Sequence, residues 1–167
     1  MLSLHLCLRQ AFWRRKLLTK KNLKEAVAAH PMYKVLEETG CYVTTTVGRS
    51  MLPLLRERRD SVKLIPAPDR LKRGDVALYL RPDETTVLHR VLDTPTEGYT
   101  MCGDGQHRPE YGVPHEAILG VMEGYWRDER YTPCTARKYR AYAWLWCLSL
   151  TLRRVLLWFT TSGKAKS

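Results

Sequence analysis

Residues 47–53 read VGRSMLP, a serine set between a glycine and a proline, with apolar residues where a turn is ordinarily polar. A serine hydroxyl is a poor nucleophile at neutral pH. To act as one it needs a base within hydrogen-bond reach and a rigid backbone that fixes its rotamer. Gly48 allows a close approach of backbone or substrate, while Pro53 restricts its own φ and biases Leu52 towards an extended conformation. Taken alone, the stretch reads more simply as a strand end running into a turn. What gives Ser50 chemical weight lies downstream.

After the turn-like KRGD of residues 72–75 comes an alternating apolar run, VALYL at 76–80, and then VLHRV at 87–91, which sets His89 in the middle of a strand. The run MCGDGQHRPE at 101–110 and the apolar ILGVM at 118–122 follow. The order SMLP, KRGD, LHRV, GDG, ILGVM resembles the type I signal peptidase and LexA-like serine protease clan over roughly residues 41–123. Within that clan the base is usually lysine, but the endoplasmic-reticulum type and its bacterial relatives carry histidine in a box that Leu88–Val91 resembles. The resemblance therefore implies Ser50 as nucleophile and His89 as general base. Those enzymes also carry an acidic residue six positions after the aspartate of the Gly-Asp box. Here that residue is Glu110, and its implied role is to orient the imidazole and stabilise the imidazolium. Asp104 is the rival for that role, and a turn-forming or strand-pinning aspartate is its plainer reading.

Two departures from the pattern stand out. Where signal peptidases often place a hydroxyl oxyanion donor two residues before the nucleophile, this chain has Gly48, which leaves backbone N–H groups near Ser50, with Arg49 as a candidate helper. A signal peptidase also begins with a transmembrane helix, whereas residues 1–8 are apolar but too short for one.

The 167 residues, 44% of them apolar, suffice for one domain with a sizeable core. The net charge of +11 is uneven: residues 1–30 hold 7 basic and 1 acidic residue, 127–167 hold 9 and 2, and the intervening 96 are close to neutral. Three regions follow: a basic helical arm over 1–40, a signal-peptidase-like catalytic β domain over 41–126, and a basic linker with a C-terminal amphipathic helix over 127–167. On charge alone the ends suit lipid head groups or nucleic acid. The five cysteines, Cys7, Cys41, Cys102, Cys134 and Cys147, form no C-x-x-C pair and have no histidine at metal-ligand spacing, so neither a zinc site nor a disulfide framework is expected, and no cofactor is implied. With no cleavable signal peptide evident, reduced thiols and a cytoplasmic location are expected.

Along the chain, residues 1–21 alternate apolar and basic groups, which suits an interfacial helix or a flexible arm. Residues 22–39 carry helical spacing interrupted at Pro31 and ended at Gly40, predicting two short helices. Strands are expected at 41–47, 61–65, 75–80, 87–93, 99–102 and 118–123, punctuated by Gly, Pro and Asp, giving a mainly-β, partly closed sheet assembly, as the resemblance also implies. His5, His30, His107 and His115 read as surface or capping residues. Residues 139–159 are the most apolar stretch, with Ala141, Trp144, Leu145, Leu148, Leu152, Val155, Leu156 and Phe159 on one helical stripe. Arg153 and Arg154 oppose spanning, so the helix is expected to lie peripherally on a membrane or to pack on the domain.

The leading functional reading is a serine endopeptidase acting on a peptide or protein precursor, with an anionic membrane surface as a second partner and nucleic acid not expected. The alternatives are a LexA-like regulator that cuts itself and a non-catalytic module that binds membrane or nucleic acid. Against self-cleavage, no Ala-Gly or Cys-Gly precedes Ser50, and the only Cys-Gly, at 102–103, lies in the Gly-Asp box.

Overall fold

Pro31 ends one helix and starts the next. In the computed structural model, which describes residues 20–148, α1 spans Lys20–Ala29 and α2 Pro31–Thr39. Pro31 occupies the first turn of α2, where a missing N–H is harmless, and the His30 imidazole caps that helix by accepting from Met32 N–H at 3.3 Å. Gly40 closes α2 in the left-handed region at φ 73° and donates its N–H to Leu36. Leu23, Val27 and Leu36 are buried, so both helices pack on the body of the protein.

The strands are β1 (Tyr42–Thr45), β2 (Ser61–Ile65), β3 (Val76–Leu80), β4 (Thr86–Asp93), β5 (Tyr99–Cys102), β6 (Glu110–Val113), β7 (Ile118–Arg127) and β8 (Arg130–Pro133), followed by helix α3 (Arg137–Leu148). All the pairings are antiparallel. They join the eight strands into one sheet in the order β1-β2-β7-β3-β4-β5-β6, with β8 added to β7. The protein is mainly β, and the sheet is open, with β1 at one edge and β6 at the other.

Alternation along β3 divides the interior in two. Val76, Leu78 and Leu80 join one core with Leu36, Leu55, Val62, Leu64 and Met122, while Ala77 and Tyr79 join a second with Val91, Tyr99, Met101 and Val113. Because both faces of β3 are covered, all five of its residues are buried. Strands β2 and β5 have the expected limits.

Two strands, β6 and β8, were not expected. The segment EYGV is only four residues long and Gly112 sits at φ 71°, so β6 is specified by its pairing with β5 more than by its own short pattern. β8 turns back from β7 through Asp128 and Glu129, both at positive φ, a tight hairpin made without the glycine or asparagine that would have signalled it. Strand pairing thus continues past the boundary expected at residue 126.

The C-terminal helix is described only as far as Leu148. Tyr139, Ala143 and Trp146 face the protein, and Trp144, Leu145 and Leu148 face away at 67%, 38% and 47% exposure. Among the described residues, no helix is long and apolar enough to cross a membrane. The interfacial segment expected over 1–21 lies almost wholly outside the described residues, as do Leu152, Val155, Leu156 and Phe159.

Candidate functional site

Ser50 opens a turn that is clamped from behind. The turn closes through Leu52 N–H to the Arg49 carbonyl (3.3 Å) and Leu55 N–H to the Met51 carbonyl (2.9 Å), with Met51, Leu54 and Leu55 buried beneath it. Its base is Asp60, fully buried, which accepts from Arg56 N–H at 2.9 Å, Arg56 Nε at 2.9 Å and Arg127 Nη2 at 2.8 Å. Burial alone would raise the Asp60 pKa, but the bonds from Arg127 and Arg56 outweigh it and hold the carboxylate below its ordinary range. Arg127 also reaches the Leu54 carbonyl, tying the turn to β7.

The Gly-Asp-Gly box supplies the floor on which this turn rests. Gly105 N–H donates to the Ser50 carbonyl at 2.7 Å. A methyl group on Gly103 would stand 2.4 Å from the Ser50 carbonyl oxygen and 3.1 Å from His89 Nε2, and one on Gly105 would stand 2.9 Å from the Arg49 carbonyl. Both glycines therefore serve close approach. Gly48 differs: a methyl there would meet open space, and its φ of 90° is what requires glycine.

His89 lies mid-strand on β4, opposite Ala77 of β3, which makes Tyr79 its diagonal neighbour on the same face. The imidazole is only 2% exposed. Its Nδ1 is 3.1 Å from Tyr79 Oη and 3.7 Å from Glu110 Oε1, while Nε2 points to the Gly103 side. Burial, joined by the Arg81 charge and opposed by those of Glu110 and Asp104, lowers its pKa from 6.5 to about 4, leaving it neutral and able to accept a proton at physiological pH. Glu110 is held in turn by Arg81, which forks onto it through Nε (3.2 Å) and Nη2.

Ser50 and His89 line one cleft of about 390 Å³. Its walls are Thr44–Gly48 and Thr86–Leu88, so the sheet curls enough to bring β1 and β4 face to face although three strands separate them in the sheet. Among the described residues, the Ser50 hydroxyl and N–H have no hydrogen-bond partner, and Gly48 N–H is taken by Glu57 at 3.1 Å. Arg49 is exposed and outside the cleft lining.

Asp104 is occupied elsewhere. It and Arg90 are both fully buried and paired in bidentate fashion at 2.8 and 2.7 Å. Asp104 also accepts from Tyr142 (3.0 Å), its carbonyl accepts from Trp146 Nε1 (2.9 Å), and Arg90 reaches Gly74 O (2.7 Å) and lies against the Tyr139 and Tyr142 rings. The pair therefore seats α3 against β4 and β5.

Sequence reasoning passed over Tyr79, Arg81 and Asp60. For Tyr79 a signal existed: a β3–β4 hairpin with a short connection pairs Leu80 with Thr86, which places residue 79 diagonally from residue 89. In comparisons with known proteins, no family model matches the chain, and no curated protein or solved structure matches it.

Proposed function

We propose that this chain is a serine endopeptidase of the signal-peptidase-like type, and that the curled sheet is a member of the signal-peptidase/LexA-like class of folds. The observation that carries the reading is the convergence, in one cleft, of a Ser50 hydroxyl that has no partner among the described residues with a buried imidazole whose far nitrogen faces Glu110. Ser50 Oγ attacks the scissile carbonyl carbon as its proton passes to His89 Nε2. The Ser50 N–H stabilises the oxyanion, and the imidazolium returns the proton to the leaving amine as the C–N bond breaks. Water, deprotonated by His89, then attacks the acyl-enzyme and releases Ser50.

The substrate is a peptide or protein segment in extended form. Among the described residues β1 pairs with β2 alone, so its outer edge can receive a peptide strand beside the cleft. Mass spectrometry of a diverse peptide mixture incubated with the protein tests this. The expected result is a defined set of new termini that Ser50→Ala and His89→Ala abolish. Cleavage that persists in both variants would contradict it.

We also propose that the protein works at an anionic membrane surface. Trp144, Leu145 and Leu148 form an apolar strip on the outer face of α3, and Arg137 and Arg140 fall on the same face at helical spacing. Beside them lies a cleft of about 570 Å³ bordered by Lys72 and Arg73. Cations around an apolar strip match anionic head groups above an acyl boundary, while duplex nucleic acid offers nothing to receive Trp144 and Leu148.

A further inference from the structure

Beside His89, on the Nδ1 side that faces Glu110, lies a side chain that the reaction as written does not use. Tyr79 Oη is 3.1 Å from His89 Nδ1, whereas the nearest Glu110 oxygen is 3.7 Å away, beyond a hydrogen bond. The imidazole thus touches a phenol, not a carboxylate. The phenol also feels the charges of the Glu110 carboxylate and the Arg81 guanidinium. Tyr79 is fully buried, and burial foremost, with the Glu110 charge, raises its pKa far above the ordinary value, so it stays neutral with a single proton to donate.

The direction of that proton decides which imidazole nitrogen is basic. Glu110, ion-paired with Arg81, can only accept. If Tyr79 gave its proton to His89 Nδ1, its oxygen and the nearby Glu110 carboxylate would both be acceptors with no proton between them. With the proton on the Glu110 side, Tyr79 Oη presents a lone pair to His89, which Nδ1–H satisfies. Nε2 then carries the free lone pair on the side where Gly103 and the Ser50 turn meet it. In the opposite arrangement Nε2 would carry hydrogen and could not take the Ser50 proton.

We propose that Tyr79 is a positioning residue that relays Glu110 to His89, holding the imidazole in the Nδ1–H tautomer and leaving Nε2 free to act on Ser50. The catalytic part of this rests on His89 being the base, but the tautomer itself does not.

The test is 15N NMR of protein labelled at histidine, near neutral pH, reading which His89 nitrogen bears hydrogen. Wild type should show Nδ1–H. Tyr79→Phe should populate Nε2–H, and so should Glu110→Gln, because an amide can donate and no longer fixes the phenol. Tyr79→Phe should also lower kcat roughly 10- to 1000-fold with a smaller change in KM. An Nε2–H form in wild type overturns the relay with no variant required, and so does an unchanged tautomer in folded Tyr79→Phe. Wild type in the Nδ1–H form whose Ser50 never reacts would sustain the relay and overturn the peptidase reading, so the two fail separately.

Discussion

Gly105 donates its N–H to the carbonyl of Ser50 at 2.7 Å, although the two residues are 55 positions apart in the chain. That bond, with the contact of Gly103 against both Ser50 and His89, makes the Gly-Asp-Gly turn the surface on which the candidate nucleophile is registered against the candidate base.

Gly103→Ala is therefore expected to harm reactivity more than stability. The added methyl meets backbone at 2.4 Å, which cannot swing aside as a side-chain tip could, so the Ser50 turn must lift. Overpacking of this kind lowers stability by about 1–3 kcal/mol. Thermal unfolding should show a fold that survives, while labelling of Ser50 by a serine-directed probe should fall at least tenfold. Unchanged labelling would mean that the registration is unimportant.

The two acidic residues are expected to fail differently. Asp104→Asn leaves Arg90 buried without its charge partner and should lower stability by about 3–5 kcal/mol, read as a large drop in denaturant midpoint. Glu110→Gln, at the partly exposed end of the relay, should spare stability and reduce kcat. Should Glu110→Gln prove silent and Asp104→Asn fold but show no activity, the acidic role belongs to Asp104.

The pH dependence follows from the lowered pKa of His89. The native imidazole takes a proton only towards pH 4, while an unfolded one takes it near 6.5, so in that window the unfolded state binds more protons. Stability is complete above about pH 6.5 and declines as pH falls towards 4, by up to about 1.4 kcal/mol per pH unit. His89→Asn should flatten that decline in urea titrations. The acid limb of kcat/KM should likewise lie below pH 6.5, and removing the Arg81 charge with Arg81→Gln should move it upward. A limb above pH 7 would point to a different base.

Much of this was legible in sequence where a local rule decides it. Pro31 and Gly40 mark the helix limits, and short runs set between Asp60 and Pro66 and between Gly98 and Gly103 mark β2 and β5. Residues that act through long-range packing were not legible. Asp60 looks like any loop aspartate until Arg56 and Arg127 converge on it from 4 and 67 positions away. β6 and β8 are four residues each, too short for a pattern of their own to stand out. Arg90 and Asp104 sat inside recognised boxes, yet that they form the buried seat of α3 depends on Tyr139, Tyr142 and Trp146, which sequence assigned only to an apolar stretch.

The membrane proposal predicts that Trp144→Gln with Leu148→Gln releases the protein from anionic vesicles in a sedimentation assay, even at low salt. Both side chains are exposed, so the substitutions remove apolar area worth roughly 25 cal/mol per Å² at the acyl boundary without disturbing the core. Labelling of Ser50 should be unaffected. Undiminished sedimentation would contradict the proposal, and so would a loss of folding, which would mean that this face is packed.

The most direct test of the central claim is incubation of the folded protein with a fluorophosphonate, followed by mapping of the adduct by mass spectrometry. The account predicts one adduct, on Ser50, lost in Ser50→Ala and reduced at least a hundredfold in His89→Ala. A folded wild-type protein that gives no adduct, an adduct on another residue, or labelling of Ser50 that does not depend on His89 would contradict it.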